Sequence, residues 1–416
     1  MNLNIKQLYK SMNLQKIKWH WAFLLLLFCC LQWSCQRATE KKKVEPASAI
    51  MELPLISIET DSYIPWDYQC PCNINYKSKG ESACWSGNIK CRGGVSSKFE
   101  KYSYALKFSK KHSLCGLPAN KSWILNANYI DKTFMRHKLC YDLFRMMDER
   151  DLAPQCAYAM LQHNGNPLGL YVVMQRLTKH VLQLDVSDTN AYIFKEPKVF
   201  YTKLPSPNYV EGSYHGQTYP DYDEYGDKSA IMDEFRKFIV KSTDEQFMNE
   251  IGQWIDIDNV IDWHLLVLFT NNSDGLAKNF YLYKKNTDTP FRIALWDCDH
   301  SFGRDGDNEM NMLERLADIQ KNIMLARLAR FPEYQKALAE RYCQLRKDGV
   351  FSYENIYQMV QDNDRYIRLG IDENVRLWPF DSENYYDGNN YEEEVKLLLE
   401  FVPLSLKRLD EMFGYH

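Results

Sequence analysis

The order in which β-rich and helical segments follow one another constrains the fold of this chain most. In the first half, residues 53–60, 85–92 and 102–109 are rich in β-branched and aromatic side chains and are bounded by turn residues, which predicts strands. Residues 131–147 carry apolar side chains at helical spacing, which predicts a helix. A further hairpin is predicted about Asn164-Gly165, because Asn-Gly favours the two-residue turn between antiparallel strands.

The second half reverses this balance. A long loop is predicted over residues 198–227, followed by helices that are interrupted by one β-rich island at residues 280–283 and 291–296. The predicted helices are residues 231–254, 260–269, 313–330, 332–347, 353–368 and 391–412. We therefore predict an α+β, kinase-like bilobal fold: a sheet-rich N-terminal lobe at residues 51–178 and a mainly helical C-terminal lobe at residues 179–416, with the hairpin in the second lobe.

Composition excludes some classes of protein. Of the 416 residues, 45% are hydrophobic and 14% aromatic, whereas disordered chains combine low hydrophobicity with high net charge. The formal net charge of −4 gives no reason to expect nucleic acid as a partner. The chain is long enough to bury a large core in two lobes.

The first fifty residues predict export. Lys16 and Lys18 precede an apolar run at residues 21–31, which is typical of a secretory signal and too short to span a bilayer. We predict a signal peptide at residues 1–34, lipidation of Cys35 and a polar tether at residues 35–50. Gln32 replaces the Leu usual three places before a lipidated Cys, so an ordinary signal with an unmodified Cys35 is the alternative. We therefore expect a membrane-anchored lipoprotein of the bacterial envelope that faces the periplasm.

Cysteines crowd the start of the predicted mature chain. Cys70, Cys72, Cys84 and Cys91 lie close together in sequence, and in an exported protein one or two disulfides are expected among them. The later cysteines are scattered, and we expect them to be free buried thiols.

The chemistry centres on residues 271–303. Asp274 and Asn279 have the spacing of the protein-kinase catalytic loop, in which the Asp takes the proton of the substrate hydroxyl and the Asn holds metal. A strand, a turn and a second strand lead to Asp297 and Asp299, where a kinase has its Mg²⁺-binding Asp. We predict Asp274 as the catalytic residue, and Asn279, Asp297 and Asp299 as ligands of Mg²⁺ or Mn²⁺. The alternative for Asp274 is a turn or cap residue, and for His300 an additional ligand or a plain loop residue.

Residues 92–97 (RGGVSS) are candidates for holding phosphates. Glycines let the backbone approach a phosphate closely, and Arg and Ser side chains can donate hydrogen bonds to it. Lys101 and Lys107 follow, the second on a predicted strand, where kinases place the lysine that pairs with ATP phosphates. The predicted phosphate-binding residues are therefore Arg92, Gly93, Gly94, Ser96, Ser97, Lys101 and Lys107. The alternatives are a plain hairpin turn and solvated surface lysines.

Several segments in order resemble the CotH kinase family. They are residues 92–97 (RGGVSS), 101–108 (KYSYALKF), 114–118 (LCGLP), 123–131 (WILNANYID), 135–136 (MR), 169–171 (GLY), 278–283 (KNFYLY), 296–299 (WDCD), 302–303 (FG) and 376–379 (RLWP), together with Asp274. The resemblance runs from about residue 52 to the C-terminus. It implies ATP-dependent phosphorylation of Ser or Thr hydroxyls on a protein, with a divalent metal.

The sequence departs from the family pattern at three positions. Gln175 stands where the family usually has Glu, Gly94 where it has Asn, and His137 where an Asn commonly follows Arg136. The resemblance implies that Gln175 lies in the nucleotide-binding region. Two other readings stay open: an inactive, kinase-shaped binding protein of the envelope, and a metal-dependent phosphohydrolase that uses Asp297, Asp299 and His300.

Overall fold

Seven strands form a closed barrel in the first half of the chain. The computed structural model describes residues 53–205, 213–304, 316–380 and 387–416, so the predicted signal peptide, Cys35 and the tether lie outside the described residues. The strands are β1 (Leu55–Glu59), β2 (Cys70–Ser78), β3 (Glu81–Arg92), β4 (Ser103–His112), β5 (Asn120–Asn126), β6 (Cys156–His163) and β7 (Asn166–Gln175). Their order around the barrel is β1-β2-β3-β4-β5-β7-β6, and β1 closes it by pairing in parallel with β6.

Side chains that point alternately inward and outward along the strands fill the barrel and cover part of its outside. On β4, Tyr104, Leu106 and Phe108 point into the interior core, while Lys107 between them is exposed. On β7 the outward-facing apolar residues are buried as well, because that side of the barrel packs against the helical half of the chain. Burial on both faces explains why residues 170–174 read as a continuous apolar run.

A second, four-stranded sheet lies in the second half. It consists of β8 (Tyr192–Lys195), β9 (Gln217–Tyr219), β10 (Phe280–Lys284) and β11 (Arg292–Leu295), in the order β11-β10-β8-β9 and antiparallel throughout. The predicted β-rich island is thus the β10–β11 hairpin. The predicted loop at residues 198–227 contains β9 and a short helix, two elements that its mixed polar and aromatic sequence did not indicate.

The helices surround this sheet and one side of the barrel. They are α1 (Arg136–Met147), α2 (Tyr222–Tyr225), α3 (Ala230–Lys241), α4 (Asp244–Trp254), α5 (Ile257–Thr270), α6 (Ile323–Leu328), α7 (Pro332–Lys347), α8 (Tyr353–Leu377) and α9 (Tyr391–Phe413). Within the described ranges, none of these helices combines the length and apolarity needed to cross a membrane.

Several helix predictions were wrong in their boundaries: α8 continues to Leu377, nine residues beyond the predicted end, and α1 begins only at Arg136. The single helix predicted over residues 231–254 is broken between α3 and α4, because Thr243 caps α4 by accepting from the Gln246 N–H while the Gln246 side chain accepts from the Thr243 N–H. The helix predicted over residues 313–330 begins only at α6 in the described part, where Asn322 caps it by accepting from the N–H groups of Met324 and Leu325.

The α+β fold class is confirmed: a sheet-rich first part precedes a mainly helical second part. Closure of the first sheet into a barrel was not predicted. The division into lobes at residue 178 stays a prediction.

Candidate active site

The β10–β11 hairpin brings Asn279 and Asp297 together. Phe280 at the start of β10 pairs with Leu295 at the end of β11, and the Trp296 N–H donates to the Asn279 carbonyl oxygen at 3.2 Å. Both Asn279 and Asp297 have left-handed backbones, with φ of +63° and +53°. Such conformations are uncommon for residues with a Cβ and concentrate at functional sites, and these two residues flank the hairpin on its two sides.

Asp274 lies in a short 3-10 turn, Ser273–Leu276, immediately after α5. Asn271 caps the C-terminus of α5 in the left-handed conformation, and the Asn272 side chain accepts from the Gly275 N–H at 3.0 Å. The Asp274 carboxylate is paired with Lys278 Nζ at 2.9 Å and His300 Nδ1 at 3.4 Å, and its side chain is 30% exposed. It is thus fixed in position while solvent still reaches it.

The segment after Asp299 is tied back to the end of α5. The Phe302 N–H donates to the carbonyl oxygen of Thr270, the last residue of that helix, at 2.8 Å. Within the segment, the His300 N–H donates to the Asp299 carboxylate at 3.1 Å. This connection places His300 between the Asp274 turn and the carboxylates that follow β11.

Asp297 and Asp299 share one cluster with His137 from α1. His137 Nε2 lies 3.1 Å from Asp297 Oδ1, and one ligand atom from each of the three residues lies within 4.8 Å of the other two. The Asp297 side chain is 47% exposed, whereas His137 is almost fully buried. The donor set fits a divalent cation, because carboxylates supply hard anionic oxygens and the cluster opens to solvent on the Asp297 side.

The charged groups of this cluster shift one another's pKa values. Partial burial would raise the pKa of Asp297, but the hydrogen bond and charge of His137, with Arg92 and His300 nearby, lower that pKa to about 2. Burial and the adjacent Asp297 carboxylate raise the pKa of Asp299. Burial opposes protonation of His300, yet the Asp299 and Asp274 carboxylates raise its pKa to about 9. Two neighbouring carboxylates thus attract positive charge to this point.

The barrel contributes Arg92 to the same region. Its guanidinium carbon lies 5.8 Å from the centre of the Trp296 ring, next to Asp297 in sequence. After Arg92, Gly93 adopts a φ of +143°, and a Cβ there would lie 2.3 Å from Ser96 Oγ. Glycine is therefore required at this turn. Gly94, Ser96 and Ser97 follow at the surface, and the Ser97 hydroxyl donates to the Gly94 carbonyl at 2.7 Å.

The prediction that Lys101 binds a phosphate does not fit the structure. The Lys101 ammonium is fully buried and donates to the carbonyl oxygens of Ala127 and Leu170 and to Asn374 Oδ1. An ammonium has three N–H donors, so this set uses all of them. Burial lowers its pKa well below the usual range. Lys101 holds the barrel to α8 instead.

The other two predicted binding residues take different positions. Gln175 is buried and donates through Nε2 to the Pro118 carbonyl oxygen at 3.1 Å, so its amide is engaged within the barrel. Lys107 projects from the outside of β4, beside Ser122 of β5, and is exposed. A nucleotide contact by either residue stays a prediction.

Sequence reasoning gave no site role to two residues that the structure brings to the carboxylates. His137 was noted only as a departure from a family pattern, and Lys278 only as part of a motif. The available signal for Lys278 was its position four residues after Asp274, which suits an ion pair across one turn. For His137 the sequence carried no signal, because 160 residues separate it from Asp297.

A buried ion-pair network fixes the chain segments that carry the site. The Arg136 side chain donates to Asp131, to Glu394 of α9 and, at 3.0 Å, to the Ser301 carbonyl oxygen. Arg304 extends the network by donating to Glu394 as well. It thus anchors α1, the segment after Asp299 and α9 to one another.

Comparison with known proteins decides the family. The family described as CotH kinase protein matches residues 89–408, which is most of the chain. The chain belongs to the CotH kinase family. It is also 25% identical over 256 residues to the inner spore coat protein H of Bacillus subtilis (strain 168), a match that covers 60% of this chain and 68% of that protein.

The residues that match the CotH kinase family include those of the candidate site. The match begins at Ile89 in β3 and ends at Arg408 in α9, so it includes Arg92, the β10–β11 hairpin and the acidic cluster.

Proposed function

We propose that this protein transfers the γ-phosphate of ATP to Ser or Thr hydroxyls of a protein. On this proposal the barrel and the helical half act as the two lobes of a kinase-like fold, with nucleotide bound between them. One observation supports it most: Asp274 and the barrel's Arg92, which are far apart in sequence, both approach the loop segment that carries Asp297 and Asp299. Membership of the CotH kinase family supports the reaction class.

Asp274 is suited to act on the acceptor hydroxyl. Burial raises its pKa, but hydrogen bonds and charges from His300 and Lys278 more than offset this and lower the pKa below the usual value. The group is therefore an ionised carboxylate at neutral pH, able to orient a hydroxyl and accept its proton. General-base help of this kind contributes about 10² to 10⁴ in rate.

Asp297, Asp299 and Asn279 would hold a divalent metal, Mg²⁺ or Mn²⁺. When bound, the ion supplies positive charge that binds and neutralises the phosphates of ATP. Arg92 adds a fixed positive charge from the barrel, close enough to lower the pKa of Asp297. The turn at Gly93, Gly94, Ser96 and Ser97 offers backbone N–H groups and hydroxyls beside it for the remaining phosphate oxygens.

Transfer of label from ATP tests this function directly. The purified full chain is incubated with γ-labelled ATP, Mg²⁺ or Mn²⁺, and a protein extract rich in Ser and Thr as acceptor. We expect transfer by the parent protein and a loss of about 10² to 10⁴ in rate for Asp274→Asn, which keeps the size of the side chain but cannot accept the proton. A matched control is Asp288→Asn, an exposed Asp in the turn between β10 and β11. An Asp274→Asn variant that transfers as fast as Asp288→Asn would contradict the role of Asp274.

We also propose that the protein acts in the envelope, anchored to a membrane by a lipid on Cys35. Support comes from Lys16, Lys18 and the apolar run at residues 21–31. The substrate is then a protein exposed to the same compartment, with no nucleic acid involved.

A further inference from the structure

His137 occupies an unusual position for a histidine. It is the second residue of α1, its ring is 2% exposed, and its Nε2 points at the Asp297 carboxylate from 3.1 Å. The other ring nitrogen, Nδ1, is buried and has no hydrogen-bond partner among the described protein groups. Only the nitrogen that faces the acidic cluster is therefore engaged.

The ring is held in this orientation. Tyr141, one turn further along α1, packs edge-on against it at 5.8 Å between ring centres. The hydroxyl of the same Tyr141 accepts from the Asp297 N–H at 2.9 Å. One residue therefore positions both His137 and the backbone of Asp297, and Arg136 fixes the start of α1 through buried ion pairs. A site that is held by its surroundings in this way is preorganised.

The distances between the ligand atoms of His137, Asp297 and Asp299 suit binding to a single metal ion. Around an octahedral ion with ligands at roughly 2.1–2.2 Å, neighbouring ligand atoms lie about 3 Å apart and opposite ones about 4.3 Å apart. The His137–Asp297 distance is 3.1 Å, and the three ligand atoms of the cluster lie within 4.8 Å of one another. Small movements of Asp297 and Asp299 would bring all three to one ion.

The imidazole nitrogen of His137 changes which metal ion the site prefers. Mg²⁺ is a hard ion that takes oxygen ligands almost entirely, whereas imidazole is a ligand of first-row transition metals, of which Mn²⁺ is the hardest and the weakest binder. We propose that His137 is a direct metal ligand and that it makes this site select a first-row transition-metal dication, such as Mn²⁺, over Mg²⁺. The inference concerns the metal of the proposed phosphotransferase but does not require transfer to occur.

Metal binding without nucleotide tests the inference. The purified full chain is titrated calorimetrically with Mn²⁺ and, separately, with Mg²⁺. The variant is His137→Asn, of similar size and with an oxygen donor, and the control is His163→Asn, a histidine on β6 of the barrel that contacts Thr60. Pulsed electron paramagnetic resonance of bound Mn²⁺ reports whether a ¹⁴N nucleus is directly coordinated.

We expect the parent protein to bind Mn²⁺ at least about tenfold more tightly than Mg²⁺. His137→Asn should lower the Mn²⁺ affinity at least about tenfold, with a much smaller effect on Mg²⁺, and remove the ¹⁴N coupling. His163→Asn should change neither ion's affinity nor the coupling.

Three results would overturn the inference: no ion binding by the parent, equal affinities for the two ions, or bound Mn²⁺ without ¹⁴N coupling. The last would show that His137 only donates a hydrogen bond to Asp297. The metal inference and the proposed function can fail independently, and the results distinguish the two cases. Phosphate transfer that runs with Mg²⁺ in the absence of ¹⁴N coupling refutes the metal inference alone, whereas ¹⁴N-coordinated Mn²⁺ without any transfer refutes the kinase proposal alone.

Discussion

Gly169 on β7 packs tightly against Asn374 of α8, and replacing it by Ala should destabilise the protein strongly. Gly169 has a φ of +86°, and a Cβ there would lie 2.6 Å from Asn374 Oδ1. That oxygen accepts hydrogen bonds from Lys101 Nζ at 2.8 Å and from the Leu170 N–H at 3.2 Å. The added methyl group must displace Asn374 and so disturb the buried ammonium.

The expected loss of stability in Gly169→Ala has two parts. A left-handed backbone costs a residue with a Cβ roughly 1–2 kcal/mol. Displacing Asn374 Oδ1 deprives a buried ammonium of one acceptor, and leaving a buried polar group unsatisfied costs roughly 1–3 kcal/mol or more when it is charged. We expect Gly169→Ala to lower the free energy of unfolding by about 2–5 kcal/mol.

Gly165 provides the matched control. It lies in the turn between β6 and β7 with a φ of +78°, and nothing lies within 4 Å of a Cβ there. Gly165→Ala should therefore cost only the backbone part. Urea unfolding followed by circular dichroism measures both variants, and Asn374→Ala completes a double-mutant cycle in which the extra cost of Gly169→Ala should disappear. Equal costs at the two glycines in the parent background would refute this account of the contact.

Two further predictions concern acid stability and location. Burial lowers the pKa of His264 to about 4, so the unfolded chain takes up a proton below about pH 6.5 while the folded chain does not. The free energy of unfolding should fall by about 3 kcal/mol as pH drops from 6.5 to 4, and the His264 contribution should level off below pH 4. Urea unfolding of His264→Gln at the same pH values should lack this loss. A pH profile identical to that of the parent protein would contradict the assignment. Cys35→Ala should abolish labelling with a fatty-acid probe and release the protein to the soluble fraction after cell lysis; unchanged membrane association would contradict the lipid anchor.

Local sequence signals predicted the β10–β11 hairpin well. Strands β10 and β11 are short apolar runs on either side of a polar turn, and the pairing of such runs places their flanking residues together. Asn279 and Asp297 flank the two strands, so their proximity follows from the hairpin alone. The Asn164-Gly165 turn was predictable for the same reason, and both residues have the positive φ that this turn needs.

Long-range contacts could not be predicted in this way. Closure of the barrel depends on the pairing of β1 with β6, about a hundred residues away, and no local pattern encodes that contact. Lys101 looked like a surface or phosphate-binding lysine, because sequence does not show that Leu170 and Asn374 converge on its ammonium. Part of the family resemblance therefore reflects attachment of the barrel to α8 rather than chemistry: Trp378, in the last matching segment, donates to the Leu168 carbonyl oxygen at 3.0 Å.

Calorimetric titration with ATP, in the presence and absence of a divalent metal, is the decisive measurement for the proposed kinase. We expect metal-dependent ATP binding by the parent protein. Asp274→Asn should retain nearly all of that binding, because Asp274 acts on the acceptor hydroxyl. Asp297→Asn should lose it, because the metal that Asp297 holds joins protein to phosphates. A well-folded parent protein that binds no ATP with either Mg²⁺ or Mn²⁺ would contradict the account.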